Sequence, residues 1–130
     1  MAIQYLILGL LTAGALAGAQ APAKPLTPVE ARTKVGQKIT VEMLVQAAKD
    51  RLEKRGEIYL DAEPDFRDEK NFAAVITKAG AARFKDKGIA DPAEHFRQKT
   101  IRVTGVVKVV DDVPRIEVDD PQQMEIAKSP

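Results

Sequence analysis

From Gln37 onward the chain alternates. Ile39, Val41, Met43 and Val45 are interleaved with Lys38, Thr40, Glu42 and Gln46, the two-residue period of a strand with one buried face. The run continues through Ala47 and Ala48 toward Leu52, and AAKDRLEKRG reads as a strand end and a basic turn closing at Gly56. Ile58, Leu60 and Ala62 then oppose Glu57, Tyr59 and Asp61 in a second strand. The acidic loop EPDFRDEKN separates it from a third strand at Phe72, Ala74 and Ile76. Between Lys78 and Gln98 the period lengthens. AGAARFKDKG predicts a short helical turn ending at Gly88, and DPAEHF a second, with Asp91 as N-cap and Pro92 at the first helical position.

Alternation resumes at Ile101, Val103, Val107 and Val109, set against Arg102, Thr104 and Lys108. Gly105 falls mid-run, where a strongly bent strand needs a residue without a Cβ. VDDVP turns the chain, Val113 to Val118 returns, and Pro121 ends the pairing before a tail at Met124 to Ile126. The order is three strands, a helical connection, then two strands. Five twisted strands in so short a span most readily curl into a small barrel, which removes exposed edges.

The flanks set the compartment. Residues 1–19, MAIQYLILGLLTAGALAGA, hold no charged side chain and an apolar run from Ile3 to Leu11, the outline of a secretory signal peptide. Ala17 and Ala19 place cleavage after Ala19, with the site after Ala17 as second choice. The apolar core is shorter than the roughly 20 residues that cross a bilayer, so the expectation is export to the periplasm or medium, with no stable membrane insertion after cleavage. Residues 20–36, QAPAKPLTPVEARTKVG, predict an extended leader. The remainder is one small domain over 37–127 and a tail over 128–130. The absence of cysteine excludes disulfides, a thiolate nucleophile and thiolate metal sites. A net charge of +1, from 20 basic and 19 acidic residues, provides no global attraction to a polyanion.

Any such attraction must be local. Single-strand binders combine a basic groove with aromatic platforms, and the candidate ligand contacts are Arg51 and Arg55 beside Lys49 and Lys54, Tyr59 on the outward face of strand two, Arg67 and Lys70 in the next loop, and Arg102 and Arg115 outward on the final hairpin. Asp111 and Asp112 stand against this, since they occupy the turn between strands four and five and repel phosphate. Phe72, Phe84 and Phe96 read as core, so aromatic platforms are scarce. The competing reading is a solvated surface of scattered charge pairs. Carboxylates at Asp61, Glu63, Asp65, Asp68 and Glu69 suggest calcium, but Phe66 stands where an EF-hand needs glycine and Phe72 where it needs glutamate. Arg67 and Lys70 can neutralise these acids, so a salt-bridged loop is expected, without metal or cofactor. His95 is the sole histidine and Ser129, in the tail, the sole serine. No catalytic residue is assigned.

The strand order resembles the OB-fold, a five-stranded Greek-key barrel with a helix between strands three and four. The segments VGQKITVEM, YLDAEPDFRDEKNFAAVI, QKTIRVTG and PRIEVDDPQQMEI, spread over about residues 35–127, resemble those of an uncharacterised group of exported bacterial OB-fold domains. The architecture of signal peptide plus one barrel is also similar to that of exported bacterial OB-fold stress proteins. These resemblances imply an all-β barrel with a short helical connection between strands three and four. They imply a non-enzymatic module that holds single-stranded nucleic acid, oligosaccharide or a protein partner. A metal-dependent phosphodiesterase using the carboxylates of residues 61–69 is the alternative, and a structural role in the envelope a third. GIADPAEHF also faintly resembles an acidic loop of staphylococcal-type nucleases, but only Asp91 and Glu94 correspond and the accompanying arginine and Asp-Gly-Asp pattern is missing.

Overall fold

The computed structural model describes residues 24–127. The expected signal peptide, the first residues of the leader and the tail at 128–130 lie outside the described residues. Strands β1 (Lys38–Leu44) and β2 (Ala47–Arg51) are the two halves of the first expected strand, and α2 (Leu52–Arg55) follows as one helical turn. Gly56 ends that turn with φ +73°, the left-handed region that glycine enters without a Cβ penalty. The strand end and basic turn were legible in the sequence; their helical form was not.

β3 (Glu57–Asp61) and β4 (Ala73–Thr77) flank the acidic loop, and α3 (Lys78–Asp86) and α4 (Pro92–Phe96) form the helical connection. Thr77 caps α3 by accepting from Gly80 N at 3.1 Å. Asp91 caps α4 by accepting from Glu94 N at 3.2 Å, with Pro92 at the start of the helix, as its sequence dictates. β5 (Thr100–Val110) and β6 (Val113–Val118) make the hairpin. Asp111 and Asp112 both adopt positive φ, 51° and 67°, the signature of a two-residue turn whose twist matches its strands.

The sheet runs β1-β5-β6-β4-β3-β2, antiparallel except for the β4–β6 pair. Its first and last members are the halves of one bent strand, so the sheet closes on itself. At the bend, Val45 N donates to Lys99 O and Gln98 N to Val45 O. The chain is therefore an all-β OB-type barrel with a helical connection between the third and fourth of its five expected strands. A seventh strand, β7 (Met124–Ile126), pairs with Ile101–Val103 of β5, so the expected tail is part of the sheet.

Ile58, Leu60, Phe72, Ile76, Val103 and Ile116 fill the barrel, while Phe84 and Phe96 meet edge to face at 5.6 Å beneath the helices. A Cβ on Gly105 would lie 2.6 Å from Ile116 Cγ2, which explains the glycine in mid-strand.

The leader expected over 20–36 is, where described, a strap rather than a free extended segment. α1 (Pro28–Ala31) begins with a Thr27–Glu30 capping box. Leu26 bonds to the open edge of β1 through Thr40 O and Glu42 N. Ala31 enters the core with no exposed surface, and Arg32 Nη1 donates to Asn71 O. Two apolar anchors thus hold a segment that has no period of its own.

Candidate binding cleft

The outward positions of β2, β3, β4 and β6 fall into rows across the sheet. Lys49, Tyr59, Val75 and Glu117 form one row, and Asp61, Ala73 and Arg115 the next. A cleft of about 450 Å³ lies over these rows. Its two ends differ in charge. Arg51 and Arg55, both exposed, stand where β2 passes into β3, whereas Asp111 stands on the hairpin turn at the opposite end, flanked by Val110 and Val113.

Four of the sequence-predicted contacts meet here: Arg51, Arg55, Tyr59 and Arg115. They are not equivalent. Arg115, expected as an outward contact, has a side chain only 9 % exposed and is clamped 2.9 Å from Glu57 and 2.7 Å from Glu117, so it braces the floor instead of offering a free charge. Burial works against its protonated form, but the two glutamates outweigh burial and raise its pKa. For Glu117, burial pushes upward and the bonds from Arg115 and Lys108 win, holding it below the usual range. The half-buried Tyr59 hydroxyl donates to Glu57 at 2.5 Å. Burial first, and Glu57 second, push its pKa up.

The other predicted contacts lie elsewhere. Arg67 pairs with Asp65 at 3.1 Å outside the cleft, and Lys70 sits further along the same loop, exposed. Arg102 is on the far side of the barrel, in register with Glu42 and paired to it at 2.8 Å. Barrel closure separates Arg102 from Arg115, although both point outward from one hairpin.

Phe66, absent from the predicted contacts, lines the cleft with 45 % of its surface exposed. The Lys49 ammonium stands 4.6 Å from its ring centroid. The signal was an aromatic side chain alone in a charged loop, with no apolar neighbours to share a core. Asn71 fixes the loop beneath it: its Oδ1 accepts from Glu63 N at 3.0 Å, and its Nδ2 donates to Phe66 O at 3.3 Å and to Asp61 Oδ1 at 3.1 Å. Asp61 is buried, and burial raises its pKa against the pull of Asn71 and Lys49.

The acidic loop is salt-bridged and self-capped. Asp65 holds Arg67, and Asp68 Oδ1 accepts from Lys70 N at 2.8 Å. Among the described residues, no group of three or more histidines or carboxylates is placed to hold a metal ion.

The sequence matches no protein-family profile and no curated protein sequence. The structure is similar to solved OB-fold chains. Asparaginyl-tRNA synthetase from Pyrococcus horikoshii aligns with a TM-score of 0.53 at 16 % identity, over 82 % of this chain and 23 % of its own. A putative aspartyl-tRNA synthetase from Leishmania major aligns at 0.52 and 10 % identity, over 82 % and 21 %. An OBody bound to hen egg-white lysozyme aligns at 0.56 and 15 % identity, over 85 % of this chain and all of its own. The chain thus spans under a quarter of either synthetase. At such identities the likeness establishes the OB-fold.

Proposed function

We propose that the protein is an exported, non-enzymatic binding module whose cleft holds a single-stranded nucleic acid. The observation that carries this reading is the set Lys49, Arg51 and Arg55 on one side of a cleft that also exposes Phe66 and Tyr59. None of the three cations forms an ion pair with a described carboxylate. Unpaired cations beside accessible rings supply the two ingredients of sequence-tolerant single-strand binding, phosphate attraction and base stacking. That tRNA synthetases carry the same fold is compatible with it. Asp65 is held by Arg67, Asp68 by the Lys70 backbone and Asp61 by Asn71, and this favours a binding role over the phosphodiesterase alternative. Export rests on the signal-peptide pattern of residues 1–19, and a mature N-terminus at Gln20 is the expected result of intact-mass analysis.

Asp111 and Asp112 at the far end favour a second reading, in which the cleft takes a polypeptide segment of mixed charge. An OBody bound to lysozyme shows that this fold can carry a protein-binding surface. Fluorescence-anisotropy titration with a labelled single-stranded oligonucleotide at two salt concentrations separates the two. Affinity that falls steeply as salt rises supports the nucleic-acid reading. Absence of binding at low salt removes it and leaves the polypeptide. Hydrolysis of the same oligonucleotide with added calcium, magnesium or manganese would overturn the non-enzymatic part.

A further inference from the structure

Residues 63–71, which carry Phe66, hold themselves together almost without outside help. Asp68 N donates to Asp65 O at 3.0 Å and Asn71 N to Asp68 O at 2.9 Å, while Arg67 N and Lys70 N donate to the Asp65 and Asp68 carboxylates. The Asn71 side chain ties Glu63 N to Phe66 O and reaches Asp61, where β3 ends. Among the described residues, one hydrogen bond enters this loop from elsewhere in the fold: Arg32 Nη1, on the strap, donates to Asn71 O.

Arg32 is itself firmly placed. It follows Ala31, which is fully buried, and its own N–H donates to Pro28 O at 3.1 Å. Its side chain is half-buried and forms no ion pair with a described carboxylate, so the loop carbonyl is the acceptor it serves. A charged donor makes a stronger hydrogen bond than a neutral one. The path from strap to ring has two links, Arg32 to Asn71 O and Asn71 Nδ2 to Phe66 O, and its middle residue is fully buried. Phe66 keeps 45 % of its surface exposed, so core packing alone does not hold it. A stacking platform that is ordered before the ligand arrives spares the ligand the cost of ordering it.

We infer, resting on the nucleic-acid reading, that Arg32 is a positioning residue for the cleft: without touching the ligand, it fixes through Asn71 the loop that presents Phe66 for stacking. Arg32 lies outside the lining of the cleft, which separates its role from the phosphate attraction of Arg51 and Arg55. The strap thereby belongs to the binding machinery. Its Leu26 and Ala31 anchors set where Arg32 stands, and Arg32 sets how firmly the loop is held.

The test compares Arg32→Met with the unmodified full chain. In anisotropy titrations with a labelled single-stranded oligonucleotide over a range of salt, Arg32→Met is expected to bind about fivefold more weakly, the scale of immobilising one side chain on binding, with an unchanged salt slope. Added to Phe66→Ala, it should cost nothing further, because the group it positions is gone. Hydrogen exchange of the free variant should quicken at the Glu63 and Asn71 amides and stay unchanged at the Glu42 amide, which Leu26 O holds at 2.9 Å. Unchanged affinity overturns the inference, and so does a salt slope reduced by about 0.7, the mark of a lost phosphate contact. A full loss repeated on Phe66→Ala, or loop and Glu42 amides quickening together, overturns it as well, since Arg32 then acts elsewhere or only anchors the strap. Each of these results leaves the proposed function standing. No binding by the unmodified chain at low salt overturns the proposed function, and the positioning role with it.

Discussion

The barrel has two outward faces built from the same kinds of residue, and they are finished differently. On the β1–β5 face Thr40 and Glu42 have their complements directly across the pair. Glu42 opposes and binds Arg102 at 2.8 Å, and the Thr40 and Thr104 hydroxyls meet at 2.7 Å. On the β2–β3–β4–β6 face, Lys49, Arg51 and Arg55 have no ion-pair partner, Phe66 is exposed, and Asp61 Oδ2 and Arg115 Nε go unmatched. The polar groups of Thr40, Glu42, Arg102 and Thr104 thus satisfy one another. Unspent hydrogen-bonding and charge capacity is what distinguishes a binding surface from a merely polar one.

Breaking the clamp under the open face should have the largest effect. Arg115→Met leaves Glu57 and Glu117 side by side without their shared cation, and a loss of about 3 kcal/mol is expected in urea denaturation at neutral pH. Glu117 has its pKa depressed in the folded state. The clamp therefore contributes fully above pH 4.5 and fades as pH falls through the lower folded value, so the mutant's deficit should shrink in acid.

Reversing the free charges comes next. Arg51→Glu with Arg55→Glu should weaken oligonucleotide binding about a hundredfold at low salt and flatten the salt dependence by about 0.7 per lost phosphate contact. Arg102→Glu, on the satisfied face, should change binding less than about twofold. Phe66→Ala should cost about tenfold in affinity through lost stacking, with stability unchanged. Phe72→Ala, a few residues on but with no exposed surface, should instead lose about 3–5 kcal/mol of stability.

Asp61→Asn sharpens the contrast in stability terms. Burial raises the Asp61 pKa, so its ionised form is a cost to the folded state, present at neutral pH and relieved as pH falls through the raised folded value toward the ordinary 3.8. The mutant should accordingly be the more stable chain at neutral pH and lose that advantage in acid, as thermal melts at several pH values would show. The smallest effect belongs to Glu42 and Arg102, whose double-mutant cycle should give under about 1 kcal/mol.

How much of this was readable beforehand follows from where period exists. Strands announce themselves by alternation, and Asp91-Pro92 and Gly105 by backbone chemistry, so the barrel was legible. Alternation says which residues point outward, but not which outward residues become neighbours, because register and closure depend on pairing between distant segments. Arg102 and Arg115 therefore looked alike and ended on opposite faces. Phe66 sits in a loop, where no period exists to mark its direction, and only its isolation among charges hinted at exposure. The strap escaped notice for a related reason: Leu26 and Ala31 are single anchors, and two isolated apolar residues form no pattern.

The most direct test of the contrast between the faces is an amide chemical-shift map of the protein titrated with a single-stranded oligonucleotide at low salt. Perturbations confined to Lys49–Arg55, Tyr59–Asp61, Phe66 and Ala73 are expected, with Thr40, Glu42, Arg102 and Thr104 silent. Shifts spread evenly over both faces, or centred on the β1–β5 pair, would contradict the account.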